Sequence, residues 1–408
     1  MMKIVRTIFL VIVGLVFVFS GFVKAVDPIG GAIKFTDYFN VLGLGFLNPL
    51  ALFFSIALAA FEFLLGIHLV MRLKVNVVMW AVLVLSSFFL VLTLYIALFE
   101  PVTDCGCFGD AIKMTNWQTF YKNLVLMPMV VYLFVQRKKI ISPLACWKQW
   151  VLSGIYAAMV VGVSWYSILY EPLIDFRPYK VGTNIPRAMS VPQGAVQPEY
   201  DTRFILEKDG IRKEFGVSDY PYTDSTWVFI DSRTVLLKEG YQPPIQHFTL
   251  NNLAGEDLTQ TILNDARPVF LLVVPKVEKI ADPDAMKVMS ALHILSIEKG
   301  FGFYCATSSL QPQIQEFDMK LKVGLDYLTA DETVLKTISR SKMGLLLLQQ
   351  GTIAGKWNAA SIANAHVFDV PLAGAVELLH HTRTSLGVGL FVALLVIVPL
   401  LFFKKINR

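Results

Sequence analysis

The sequence is poor in charged residues. Only 16% of its 408 residues are Asp, Glu, Lys or Arg, whereas soluble domains usually contain about a quarter. Cysteine and histidine are also scarce, with four and six copies. Walker, Gly-x-Ser-x-Gly, His-Glu-x-x-His and dinucleotide-binding glycine patterns are missing, so no cofactor is predicted. Together with a mean hydropathy of +0.57, these absences argue against an ordinary soluble enzyme.

The basic residues give a net charge of +5 but are not gathered on one segment. They lie at the ends of apolar stretches, which is the pattern of a membrane protein. The sequence therefore predicts the lipid bilayer as a partner and no nucleic acid.

Six apolar stretches approach the roughly 20 residues that a membrane-spanning helix needs. The first is too long for a usual signal peptide and lacks a small-residue cleavage site, so we expect it to be retained. The six predicted spans are residues 4–23, 50–70, 75–99, 120–135, 150–170 and 385–403.

The distribution of Lys and Arg predicts the orientation in the cytoplasmic membrane. Cytoplasmic loops carry the excess of basic residues, and here one face of the predicted bundle holds most of them. Both termini are therefore expected in the cytoplasm, with the loop after the third span and the segment 171–383 on the periplasmic side. The basic residues of the inner face are Lys3, Arg6, Arg72, Lys74, Arg137, Lys138, Lys139, Lys148, Lys404, Lys405 and Arg408.

Two cysteines, Cys105 and Cys107, lie one residue apart in that outward loop. Gly106 allows the strained backbone that a disulfide between them would need, and strained, exposed disulfides exchange easily. We therefore predict a redox pair. A static structural disulfide is the alternative, and a metal site is disfavoured because zinc needs about four ligands.

Glu62 is an ionisable residue well inside the second predicted span. Such a carboxyl group must be protonated, paired or turned to a polar cavity. It predicts either an intramembrane relay or a carboxyl bonded to a neighbouring helix. Near the end of the first span, Lys24 and Asp27 are three residues apart and are expected to pair, and Pro28 is expected to stop the helix.

The outer half divides into two patterns. Residues 171–246 are rich in strands, with a hairpin predicted at Asp209–Gly210 and a second strand pair in "STWVFIDSRTVLLKEG". Residues 247–380 alternate strands with helices and end in a hairpin through Gly351, which predicts an α/β domain.

Two resemblances follow from these motifs. The four-helix pattern, "SGFVKAVDP", Glu62 and "DCGCFGD" resemble the DoxX-like group, above all the methylamine-utilisation protein MauE, over residues 1–137. This resemblance implies maturation or redox handling of exported proteins; methylamine metabolism is carried only by the family's name. The outer α/β pattern resembles the membrane-tethered, TlpA-like thioredoxins.

The thioredoxin resemblance lacks its catalytic element. "PKVEK" follows the strand "FLLVV" where those proteins carry Trp-Cys-x-x-Cys, so the domain is predicted to be inactive. Cys305 is expected to be a core residue.

The sequence thus predicts a membrane α-helical bundle with an extracytoplasmic α/β thioredoxin-like domain. Its domains would be 1–137, a fifth membrane helix in 138–170, a strand-rich segment 171–246, the thioredoxin-like domain 247–380 and a last membrane helix 384–404. The expected function is thiol-disulfide handling or maturation of exported proteins, through a thiol-redox partner on the outer face. A non-catalytic envelope scaffold and a small-solute channel or transporter remain alternatives, and no catalytic motif exists beyond the cysteine pair.

Overall fold

The structure is a computed structural model. It describes residues 2–102, 105–170, 172–196, 199–208, 210–222, 224, 226–238, 240–280, 283–322, 324–358 and, near the C-terminus, 387–389, 391–395, 397 and 399. Nine of the 19 residues of the last predicted span, and the predicted hairpin residue Asp209, lie outside the described residues.

The first 170 residues are mainly helical. Among the residues that the structure describes, five helices are long and apolar enough to cross a membrane: α1, α3 with the 3-10 turn before it, α4, α5 and α6. The protein is therefore a membrane protein with several spans. The helices are α1 (Met2–Val26), α2 (Pro28–Val41), α3 (Ala51–Met71), α4 (Val75–Phe99), α5 (Asn116–Gln136) and α6 (Cys146–Leu169).

Helices α1 and α3 pack at very short range. A Cβ on Gly21 would lie 2.6 Å from the Ala59 carbonyl oxygen, and one on Gly66 would lie 2.6 Å from the Gly14 oxygen. Only residues without a side chain let the two backbones approach this closely. Gly14, Gly21, Ala59 and Gly66 are therefore packing positions of these two spans.

Helix α2 was not predicted, because Pro28 was expected to end α1. Pro28 instead occupies the first turn of a new helix, where proline is favoured since its missing N–H needs no partner. The Asp27 carboxylate accepts a hydrogen bond from Gly30 N at 2.9 Å and caps this helix. The expectation that the first helix stops here is confirmed, since α1 ends at Val26; the new helix that begins at Pro28 was missed.

Helix α5 begins at Asn116, ahead of the predicted start at residue 120. The reason is a capping box: Thr115 accepts from the Gln118 backbone while the Gln118 side chain accepts from the Thr115 backbone. Such reciprocal bonds satisfy two otherwise unpaired N–H groups and fix the helix start.

The α/β domain contains a six-stranded sheet in the order β4-β7-β6-β5-β8-β9. β5, β6 and β7 are parallel, whereas β8 and β9 close the sheet as an antiparallel hairpin. Parallel strands followed by an antiparallel hairpin form the thioredoxin-like fold predicted from sequence. The strands are β4 (Asn251–Asn252), β5 (Val269–Val273), β6 (Gly302–Thr307), β7 (Tyr327–Thr329), β8 (Gly344–Gln349) and β9 (Thr352–Asn358).

Helices cover this sheet, and every residue of β5 is buried between them. Helices α8, α9 and α11 agree with the predicted alternation of strands and helices. Helix α10 and strand β7 were not predicted, because α10 is mostly polar and β7 has only three residues. The helices are α8 (Thr259–Leu263), α9 (Pro283–Lys299), α10 (Gln311–Leu321) and α11 (Glu332–Ile338).

Residues 184–248 form a compact unit of their own. It contains α7 (Ile185–Met189) and a sheet of β1 (Glu199–Lys208), β2 (Ile211–Gly216) and β3 (Val228–Lys238) in the order β2-β1-β3. The β1–β2 hairpin confirms the expected turn, since Lys208 pairs with Ile211. The second predicted strand pair was wrong. β3 is one continuous strand along the long β1, and its irregularity is a register shift rather than a turn.

Candidate functional site

The cysteine loop, residues 105–110, lies between α4 and α5 at what we call the loop end of the bundle. Gly106 has a φ of 66°, a left-handed conformation that glycine adopts without strain. This turn brings the two side chains together, and the Sγ atoms of Cys105 and Cys107 lie 3.0 Å apart. Both residues are partly exposed, so the two thiols are adjacent and accessible, and their redox role stays a prediction.

The loop is held to the bundle through its carbonyl groups. The Cys107 oxygen accepts hydrogen bonds from Ser20 Oγ at 2.8 Å and Lys24 Nζ at 2.9 Å. The Cys105 oxygen accepts one from the Tyr38 hydroxyl at 3.0 Å. Helices α1 and α2 therefore fix the position of both cysteines while leaving their sulfur atoms unconstrained by these bonds.

Glu62, the predicted relay residue, is brought directly beneath this loop. Its carboxylate lies 2.7 Å from Lys24 Nζ, and its side chain is only 3% exposed. Lys24 thus bridges Glu62 and the Cys107 carbonyl. The expected Lys24–Asp27 pair was wrong, because Asp27 belongs to the cap of α2 and Lys24 turns toward α3. A relay role for Glu62 stays a prediction.

Asp27 pairs with Arg340, which lies between α11 and β8 in the thioredoxin-like domain. Arg340 donates to both carboxylate oxygens of Asp27, the shortest contact being 2.9 Å, and also lies 3.4 Å from Asp110 of the cysteine loop. Burial, the largest single influence, raises the pKa of Asp27, but the charges of Arg340 and Arg177 and the hydrogen bonds from Arg340 and Gly30 together lower it below its usual value. One guanidinium thus joins the sheet domain, the α1–α2 corner and the cysteine loop.

The two thiols differ in acidity. The hydrogen bond from Cys105 lowers the pKa of Cys107; burial opposes the shift and the charges of Lys122 and Lys24 add to it. The pKa of Cys105 is raised, first by its hydrogen bond to Cys107 and then by burial. A low-pKa thiol is the nucleophilic member of a redox pair, so the geometry assigns that character to Cys107.

This difference makes a pH-dependent reactivity testable. Because the folded protein lowers the pKa of Cys107, alkylation of the reduced protein at Cys107 should persist at lower pH than in the urea-unfolded chain. Cys105→Ala removes the hydrogen bond that contributes most to lowering the pKa of Cys107. The midpoint of the Cys107 alkylation curve should therefore move to higher pH. Mass spectrometry of the alkylated peptide gives both curves. Superimposable curves for the two folded proteins would contradict the assignment.

The Arg340 contact also makes a prediction. Arg340→Gln leaves the Asp27 carboxylate without its cation, and loss of charge-assisted hydrogen bonds should lower the free energy of unfolding by about 2–3 kcal/mol. The matched control is Arg267→Gln in the same domain, which breaks an exposed pair with Asp265 and should cost at most about 1 kcal/mol. Denaturant titration of the detergent-solubilised protein measures both. Equal losses would show that the Arg340 contact does not hold the domain.

The α/β domain offers no second thiol site. The segment after β5 forms a 3-10 turn, Val277–Lys279, without cysteine. Cys305 is fully buried in β6, and burial raises its pKa to about 12, so its predicted core position is confirmed. Among the described residues, no group of three His, Cys, Asp or Glu side chains is placed to hold a metal ion.

Several contributors to the site were missed from sequence. Ser20, Tyr38 and Arg340 were not singled out as site residues. Each acts through a contact between distant segments, and a Tyr or Arg between apolar runs carries no local signal of such a contact.

The membrane helices are similar to those of a known family. Residues 1–136 match the family model described as methylamine utilisation protein MauE. The membrane half is MauE-like. A second family model, a domain of unknown function (DUF8463), matches residues 200–239, within the compact unit 184–248. The DoxX part of the predicted resemblance stays a prediction.

Two further proteins are similar to part of this chain. Protein TlpB of Flavobacterium psychrophilum is 30% identical over 127 residues, which cover 30% of this chain and 35% of that protein. The chain thus spans about a third of the length of this curated relative. A secreted Mycobacterium tuberculosis disulfide oxidoreductase, described as homologous to E. coli DsbE, aligns over 34% of this chain and 95% of its own, with 12% identity and a TM-score of 0.23. The thioredoxin-like assignment rests on the strand order itself.

Proposed function

We propose that the protein exchanges disulfides with exported proteins through Cys105 and Cys107. The observation that carries this proposal is the 3.0 Å contact between the two Sγ atoms, combined with the lowered pKa of Cys107. The kinship with MauE and the thioredoxin-like domain support a role in thiol-disulfide chemistry. The sheet domain, which has no thiolate of its own, would hold the partner near the cysteine loop.

The exchange needs two steps. The Cys107 thiolate attacks one sulfur of a partner disulfide, that S–S bond breaks, and the released partner sulfur leaves with the electron pair and takes up a proton. Cys105 then attacks the mixed disulfide at Cys107, which frees the second partner thiol and leaves a Cys105–Cys107 disulfide. In the reverse direction the same steps oxidise a partner dithiol, and the mixed disulfide is again formed with Cys107.

Trapping of the mixed disulfide tests this assignment. Cys105→Ala removes the resolving thiol, so disulfide-linked adducts should accumulate in cells and disappear on reduction. Cys107→Ala is the matched control and should yield few adducts, because the remaining thiol has the raised pKa. Equal trapping by both variants would overturn the roles of the two residues.

The static-disulfide alternative has a different outcome in the same cells. If alkylation always finds the pair oxidised, and the Cys→Ala variants are destabilised but still functional, the results would favour a scaffold with a static disulfide. By the loop-entropy model, closing so short a ring should stabilise by less than the roughly 3 kcal/mol of a 15-residue loop. A dynamic pair should therefore lose function in both variants while abundance stays near normal.

Orientation has its own test. The basic residues at the other end of the bundle support a cytoplasmic location for that end, with the cysteine loop in the oxidising compartment where disulfides persist. A cytoplasm-active reporter fused after Lys139 should be active, and one fused after Lys113 should be inactive. The opposite result would place the pair in the cytoplasm and end the exported-partner proposal.

A further inference from the structure

The cysteine pair needs an electron partner that the chain does not contain. Of the four cysteines, Cys305 is fully buried in β6. Cys146 begins α6 at the opposite end of the bundle, about 36 Å away at 1.5 Å per helical residue. Repeated exchange with exported proteins therefore requires an external two-electron reagent that reaches Cys105 and Cys107.

A recess inside the bundle reaches the pair from the membrane side. It lies among α1, α3, α4 and α5 directly beneath the cysteine loop, and Cys107 forms part of its wall. The recess is open to the surroundings, and the space between atoms, counted together with that open part, is about 460 Å³. Because its other walls are membrane-spanning helices, a ligand would enter from the bilayer, which selects an apolar molecule.

The lining is suited to a flat ring with polar edges. The aromatic side chains of Phe17, Phe89 and Phe108 form its apolar part, and aromatic faces pack favourably against planar rings. Ser86 and Asn123 supply hydroxyl and amide groups, and the Asn123 amide donates to Thr93 Oγ1 at 3.2 Å. Two charged residues also line the recess: Glu62, which is paired with Lys24, and Lys122. An apolar recess with a few placed polar groups is the usual form of a small-molecule site.

We propose that this recess binds the ring of a membrane quinone, which oxidises the Cys105–Cys107 pair. Quinones are apolar, planar, carry two carbonyl oxygens and accept two electrons with two protons, which matches a dithiol. In the reaction an S–S bond forms, two S–H bonds break, and both electrons and both protons pass to the quinone oxygens to give the quinol. This inference rests on the proposed thiol exchange and sets its direction: the pair would oxidise exported thiols.

The experiment uses the full chain, reduced and purified in detergent without oxygen. The probe is a decyl-substituted benzoquinone with a fully substituted ring, which cannot add thiols. We expect its quinone absorbance to disappear in step with the loss of one dithiol per protein. Ser86→Leu fills the recess and should slow the reaction by about tenfold or more. Ser87→Leu, on the adjacent face of α4, is the control and should leave the rate unchanged.

Thiol exchange with a small disulfide peptide is measured on the same variants, to separate the two proposals. Both variants should retain it, which also shows that they are folded. If exchange occurs but the quinone is not reduced, or if Ser86→Leu reduces it at the original rate, the quinone site is refuted and the exchange function stands. If neither reaction occurs in the unsubstituted protein, both proposals fail.

Discussion

Lys24→Met made alone should lower the free energy of unfolding by about 3–5 kcal/mol, the cost of removing one partner of a buried ion pair. The substitution leaves the nearly inaccessible Glu62 carboxylate without its cation and removes one of the two donors to the Cys107 carbonyl. Reversible denaturant titration in detergent measures the loss. A change below about 1 kcal/mol would show that the pair contributes little.

The double variant Lys24→Met/Glu62→Leu separates a structural role of the pair from a relay. With both charges replaced by apolar groups of similar size, most of the stability should return, because Ser20 still donates to the Cys107 carbonyl. If the double variant also regains disulfide exchange, Glu62 acts only through packing and charge balance. A stable double variant without exchange would support a relay at Glu62.

Gly66→Leu should cost about 3 kcal/mol or more, because it drives α1 and α3 apart. A Cβ on Gly66 already meets backbone atoms of Val18 and Gly14, and backbone cannot rotate away as a side chain can. Loss of this contact should also displace Ser20 and Lys24 from the cysteine loop. We therefore expect lower stability in the denaturant titration and a rise in the pH midpoint of Cys107 alkylation.

Gly162→Leu is the matched control for that substitution. Gly162 lies in the membrane helix α6, and a Cβ built there meets nothing within 4 Å. Leucine is a better helix former than glycine, so stability should be unchanged or slightly higher. An equal loss at both positions would mean that the effect is not one of α1–α3 packing.

The sequence predicted those features that are encoded locally. Long apolar runs located the five described spans, alternating strands and helices located the thioredoxin-like sheet, and the spacing of Cys105 and Cys107 identified the pair. Helix α2 was missed because proline both ends helices and occupies their first turn, and at Pro28 it does both. A new helix can begin here because the Asp27 carboxylate accepts a hydrogen bond from Gly30 N. That contact depends on the conformation of the chain and cannot be read from its composition.

The surroundings of the pair could not be predicted because they depend on distant contacts. Lys24 was matched to its neighbour Asp27, but its partner Glu62 lies 38 residues away. Asp27 is bound by Arg340, 313 residues further along the chain. A single sequence contains both ends of such contacts without marking that they meet, so the relation between the sheet domain and the cysteine loop emerges only from the structure.

The anchoring of the cysteine loop through main-chain oxygens has an evolutionary consequence. Ser20, Lys24 and Tyr38 bind the carbonyl groups of residues 105 and 107, and every amino acid carries that group. A descendant chain with other residues at positions 105 and 107 would keep the same hydrogen bonds between the loop and helices α1 and α2. The architecture therefore permits the thiols to be gained or lost by point mutation without the fold being rebuilt.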